Sequence, residues 1–119
     1  NIFLSSGSVD IYNPKVVRSS MGAHFYLPNL FELDTDDIIT ILSNNKIEVI
    51  AATLEGISYK NISLNNNNWA LILGSEAHGI DSKILKLVNQ QVSIPQRGNI
   101  ESLNVAVAGS ILLDRFLTK

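Results

Sequence analysis

The sequence predicts an α/β fold, a mainly parallel sheet flanked by helices. Three observations point there. Segments with strand character alternate with segments of helical spacing along the whole chain. The central strand candidates are apolar almost without a break (Val49-Ile50-Ala51-Ala52 in one, residues 69–73 in the other). Such runs suit strands covered on both faces, as in a parallel sheet. Loops bounded by Gly or Pro then follow the strands, at residues 74–79 and 95–98, where an α/β protein usually holds a ligand.

Taken in order, residues 1–4 read as a strand that opens at the first residue. Asn13-Pro14 is a helix start, with Asn13 as N-cap and Pro14 at the first helical position. That helix is expected to end at Gly22, and residues 24–27 to form a short strand stopped by Pro28. A second helix is capped by Asp34 or Thr35, with Asp36 and Asp37 at the positive end of its dipole. Its inward stripe is Ile38, Ile39, Ile41 and Leu42. Residues 47–53 give the clearest strand, and residues 54–68 read as loop. The run Asn65-Asn66-Asn67-Asn68 is most simply a solvated connection. After the strand at 69–73, Asp81 or Ser82 caps a helix carrying Ile84, Leu85, Leu87 and Val88. Residues 92–94 are the last strand. Residues 102–118 are the last helix, with Ser102 as its expected N-cap. No internal repeat or linker interrupts the chain, so residues 1–119 are expected to form one domain.

Composition narrows the function classes. The chain has 119 residues, 45% hydrophobic and 17% charged, which places it with globular domains. No apolar run approaches the roughly 20 residues of a membrane span, and Asn1-Ile2-Phe3-Leu4 is no signal peptide. Cysteine is absent, and His24 and His78 lie far apart, so no metal site is expected. These features favour a cytoplasmic protein. The net charge of −2 gives no support to nucleic-acid binding by the chain as a whole. Any such role has to rest on a local patch, another subunit or a segment outside these residues.

Two loops carry the candidate chemistry. In the first, Gly74 and Gly79 bracket Glu76. It is neither a G-x-x-x-x-G-K-[ST] phosphate loop nor a G-x-G-x-x-G dinucleotide loop. In the second, Glu101, Ser102 and Asn104 set three polar side chains at the mouth of an apolar helix. From spacing alone, an ordinary strand–loop–helix connection remains open for each.

Taken together, Gly74-Ser75-Glu76-Ala77-His78-Gly79-Ile80, and then Ile94-Pro95-Gln96-Arg97-Gly98-Asn99-Ile100-Glu101-Ser102-Leu103-Asn104-Val105-Ala106-Val107-Ala108, each between a strand and a helix, resemble the second and third motifs of the SpoU (TrmH-like) RNA ribose 2′-O-methyltransferases of the SPOUT superfamily. The stretch Val9-Asp10-Ile11-Tyr12-Asn13-Pro14-Lys15-Val16-Val17-Arg18-Ser19-Ser20-Met21-Gly22-Ala23 resembles the segment upstream of them. The resemblance covers essentially the whole chain. It implies an α/β trefoil knot, a homodimer and S-adenosylmethionine bound in the knot, mostly through backbone. Those contacts carry over to Thr53, Gly74, Ile94, Gln96 and Leu103. Gln96 stands where relatives often have Met, a change that a backbone contact tolerates. Glu76, Ser102 and Asn104 match polar active-site positions, and Arg18 resembles a phosphate or substrate contact. His78 reads as a loop surface residue rather than a base. The implied reaction is methyl transfer to a ribose 2′-hydroxyl of ribosomal or transfer RNA. The first motif of the family, an upstream strand–helix unit with an Asn and a catalytic Arg, has no counterpart here, so the isolated chain is expected to be weak or inactive. A non-catalytic knotted RNA-binding or dimerisation module is the competing expectation, with a generic nucleotide-binding domain third.

Overall fold

The structure, a computed structural model, describes residues 1–99 and 101–118. Ile100, within the third-motif loop, and the final residue lie outside the described residues. The chain divides into two compact units, Asn1–Ile41 and the residues from Leu42 onward.

In the first unit, β1 (Ile2–Ser5) and β2 (Leu30–Leu33) pair in parallel, Ile2 opposite Leu30 and Ser5 opposite Leu33. Between them lies α1 (Pro14–Ser19), capped as expected, the Asn13 side chain accepting from Lys15 N. The helix stops three residues before Gly22. Met21 and Gly22 both take positive φ, 51° and 80°, and turn the chain into a 3-10 helix at Ala23–Tyr26. The strand expected at 24–27 is therefore absent. Its aromatic residues have strand propensity, but no sheet edge pairs with them, and the left-handed turn closes a local helical hydrogen bond instead. The strand falls at β2, a few residues later. Helix α2 (Thr35–Asn44) follows, with Asp36 and Asp37 in its first turn. Asp34, just ahead of it, accepts from Ser6 Oγ at 2.5 Å, which ties the ends of β1 and β2 together.

The second unit is built on a three-stranded parallel sheet in the order β4-β3-β5. Its strands are β3 (Glu48–Ser58), β4 (Trp69–Ile72) and β5 (Gln90–Ser93). The short α3 (Ser82–Leu85), capped by Asp81, lies between β4 and β5, and α4 (Val105–Leu117) follows β5. The parallel pairing is as expected, although the strands form two sheets. Helix α3 ends before Leu87 and Val88. Ile50, Val92, Leu112, Ile62 and Phe116 make the core, closed by Trp69 edge-on to Phe116 at 5.4 Å. The central strand supplies Ile50 and Ala51, both fully buried, which accounts for its unbroken apolar run.

Two expectations about residues 54–68 are corrected. Strand β3 runs on to Ser58 instead of ending at Thr53. Both Ala52 and Ile57 register against Val92, so residues 53–56 leave the sheet and the strand resumes on the same partner. Gly56 makes the return possible, because a Cβ there would lie 2.5 Å from the Gln91 carbonyl carbon and 2.6 Å from Val92 N. The Asn run is only partly a solvated connection. Asn65 N and Asn66 N donate to Glu48 Oε2, and Asn65 Nδ2 to Oε1, which satisfies a buried carboxylate.

Candidate active site

All three strands of the second sheet run the same way. The segments that leave their carboxyl ends therefore gather at one edge, where ligands of parallel α/β sheets bind. Those segments are 53–56 from β3, 73–80 after β4, and 94–99 and 101–104 after β5. They contain every residue singled out from the sequence except Arg18. Arg18 lies in the last turn of α1, in the other unit, and is exposed.

Thr53 opens the excursion of β3, and its Oγ1 donates to Gln91 Oε1 at 3.2 Å. At the other end Ser93 Oγ donates to the Gly56 carbonyl at 2.7 Å. The excursion is thus pinned by side chains of β5 on both sides. Next to Thr53, Leu54 joins Ile94, Pro95, Gln96 and Glu101 in lining a groove of about 230 Å³. Two predicted contacts, Ile94 and Gln96, therefore share one cavity with the residue that follows a third.

The 73–80 loop is tightly closed. Ser75 N donates to Gly79 O at 3.1 Å, Gly79 N donates to Ser75 O at 2.8 Å, and His78 N donates to Ser75 Oγ at 3.0 Å. Gly79 turns the chain at φ 67°. Gly74 is required by packing, because a Cβ on it would lie 2.4 Å from the Gly79 carbonyl carbon. Glu76 projects from this loop, and its Oε1 accepts from Asn104 Nδ2 at 3.4 Å. The two polar motifs, 28 residues apart in sequence, thus meet at one hydrogen bond.

Asn104 also performs the capping task expected of Ser102. Its Oδ1 accepts from Ala106 N at 2.9 Å and Val107 N at 3.3 Å, and α4 begins at Val105. A capping side chain reaches the amides two and three residues on, and the Asn104 carbonyl is placed for both. Ser102 is exposed three residues ahead of the helix, and Leu103 beside it is half-buried. His78 is exposed, in keeping with a loop surface residue. Helix α4 packs closely on β4's exit, since a Cβ at Gly109 would come 2.9 Å from Leu73 Cδ1.

Sequence reasoning missed Leu54, Gln91 and Ser93. Leu54 had a signal, as an apolar residue directly after the most buried strand. Gln91 and Ser93 act through pairing register, which no local pattern reveals. Among the described residues, no three His, Cys, Asp or Glu side chains gather as a metal ion would need.

The groove suits a ligand with an apolar ring and a cationic tail. Leu54, Ile94 and Pro95 give flat apolar contact, while Glu101 contributes a carboxylate and Gln96 an amide. This chemistry fits S-adenosylmethionine better than a nucleoside polyphosphate, which needs cations and a phosphate cradle.

Parallel strands with their loops gathered at one carboxyl edge define a ligand-binding α/β domain. An AdoMet-bound rRNA methyltransferase from Sinorhizobium meliloti superposes with a TM-score of 0.91 at 28% identity, over 98% of this chain and 45% of that one. A solved RNA 2′-O ribose methyltransferase superposes with a TM-score of 0.85 at 29% identity, over 98% of this chain and 44% of that one. The family model described as the SpoU rRNA Methylase family matches residues 1–114, and the chain belongs to that family. Among sequence relatives, the 23S rRNA (guanosine(2553)-2′-O)-methyltransferase of Bacillus subtilis is 33% identical over 113 residues, 94% of this chain and 45% of the relative. The mitochondrial rRNA methyltransferase 3A of Danio rerio is 30% identical over 156 aligned residues, 94% of this chain and 36% of the relative. The chain thus spans less than half the length of these curated relatives.

Proposed function

We propose that this chain is the cofactor-binding part of an S-adenosylmethionine-dependent enzyme that methylates the 2′-hydroxyl of a ribose in ribosomal or transfer RNA. The observation that carries the proposal is the convergence of residues 53–56, 73–80, 94–99 and 101–104 at one sheet edge, in a chain of this family. When bound, the cofactor supplies a methyl group already activated by its sulfonium. The protein's work is therefore alignment and removal of one proton.

Leu54, Ile94 and Pro95 hold the cofactor's ring, and the backbone at Thr53, Gly74, Ile94, Gln96 and Leu103 fixes its polar edges. Ser102 and Asn104 orient the ribose, with Glu76 holding the Asn104 amide. Arg18 contacts RNA phosphate. The protein acts as a homodimer, and the exposed Leu113 and Leu117, one turn apart on α4, supply an apolar face for the second copy. The trefoil knot belongs to the same proposal. So does a cytoplasmic location, in keeping with a cysteine-free chain and with described helices too short or too polar to cross a membrane.

Calorimetry with S-adenosylmethionine and S-adenosylhomocysteine tests the proposal on the parent chain and on Leu103→Arg. Binding by the parent is expected, with a loss of at least tenfold in the variant. A folded parent that binds neither compound would overturn the cofactor reading and favour a non-catalytic RNA-binding or dimerisation module.

A further inference from the structure

The first unit carries a surface that the cofactor site does not use. Tyr12 and Phe25 are each 66% exposed, Tyr26 is 87% exposed and Met21 is 93% exposed. Large apolar side chains grouped in this way mark a docking surface. Tyr12, His24 and Phe25 form a continuous ladder. His24 lies 4.1 Å from Phe25, tilted by 35°, and 6.4 Å from Tyr12, edge-on at 67°. The middle rung is fixed from α1. Ser20 Oγ lies 3.0 Å from the Val17 carbonyl and 2.7 Å from His24 Nδ1. Nε2 is left buried and unpartnered, which makes this imidazole a packing rung.

Charge is distributed to match. Lys15 and Arg18 are the only Lys or Arg among residues 1–41. They are three residues apart on α1, so they share a helix side, and both are exposed while Val16 and Val17 are half-buried. Four of the unit's carboxylates are Glu32 on β2, Asp34 between β2 and α2, and Asp36 and Asp37 in the first turn of α2. The fifth, Asp10, is turned to the Tyr12 amide at 2.9 Å.

We propose that Tyr12, Phe25 and Tyr26, with the exposed Lys15 and Arg18 of α1 in the same unit, form a stacking platform for unpaired bases of single-stranded RNA. This rests on the reading of RNA as substrate given above. Aromatic faces accept any base, and neighbouring cations meet the phosphates between them. A duplex hides those base faces, so the platform discriminates for unpaired RNA. In a chain of net charge −2, a polyanion needs such a local patch to be held at all. A purely apolar protein contact would have no use for the two cations.

The test measures fluorescence anisotropy of a labelled, mixed-sequence single-stranded RNA of about 12 nucleotides on the intact protein. Tyr12→Ala, Phe25→Ala and Tyr26→Ala are compared with Leu87→Ala, an exposed apolar control on the second unit. The aromatic positions are exposed, so the thermal midpoint should hold while affinity falls about tenfold for each. Phe25→Tyr should retain the affinity. Lys15→Ala should lower the slope of log affinity against log salt by about 0.7. Parent binding that the aromatic variants leave intact would overturn the platform and spare the RNA reading. A folded parent that binds S-adenosylmethionine but no RNA would overturn both. Aromatic variants that lose self-association by light scattering, yet keep RNA affinity, would overturn the platform in favour of a protein contact.

Discussion

A carboxylate inside a sheet has to be met by donors, and Glu48, 6% exposed, is met by four. Oε2 accepts from Asn65 N at 2.8 Å and Asn66 N at 3.0 Å, and Oε1 from Asn65 Nδ2 at 2.9 Å and Gln90 Nε2 at 2.6 Å. Every position around the carboxylate is a donor, so an amide in its place turns its own NH₂ toward two of them. Glu48→Gln is expected to destabilise the fold by about 2–4 kcal/mol, measured by urea denaturation. The sequence shows a Glu beside an apolar run and an Asn run 17 residues later, but nothing local says that one answers the other. Ser102 and Asn104 show the same limit. Both are good N-caps, and the choice between them depends on where the preceding loop releases the helix. Glu76 and Asn104 were legible individually, through their motifs. Their 3.4 Å approach required the fold.

Among the elements, β3 carries the most consequence for the site. Its first half was legible because Val49, Ile50 and Ala51 are buried and the sequence runs apolar. Its second half was not, because Glu55 and Gly56 interrupt the pattern and read as loop. Gly56 is a strand residue at a close backbone approach, a role glycine shares with turns. Gly56→Ala places a methyl against Gln91 and Val92 backbone, so the excursion must move. It is expected to cost about 2–3 kcal/mol in stability by thermal or urea unfolding, and to weaken S-adenosylhomocysteine binding by calorimetry. The 3-10 helix at Ala23–Tyr26 misled for a different reason. His-Phe-Tyr-Leu before Pro28 has strand composition, but aromatic residues left in water at a surface have the same composition. The four residues of β2 are too few for an alternation to register.

For the molecule as a whole, the fold class was legible and the division into two units was not, because no linker or change in composition marks the boundary inside α2. Strand–helix alternation and buried apolar strands report on local burial. Strand order and register do not, since parallel neighbours are joined through distant crossovers. The distribution of burial predicts a gradient of local stability. Ile50, Ala51 and Val92 have no exposed surface, whereas α1 has six residues and none is buried. Amide hydrogen exchange should be slowest at β3 and β5 and fastest around α1 and the 3-10 helix, by orders of magnitude in protection.

The return of β3 to Val92 also bears on how such a protein tolerates changes in chain length. Because Ala52 and Ile57 register against one residue, the number of residues between them is decoupled from the pairing that follows. Insertions or deletions within 53–56 are expected to leave Ser58 opposite Ser93, as long as a glycine closes the return. The length of the groove's rim is therefore independent of the sheet's frame, and its limit is set instead by the groove itself, which needs Leu54 beside Ile94 and Pro95.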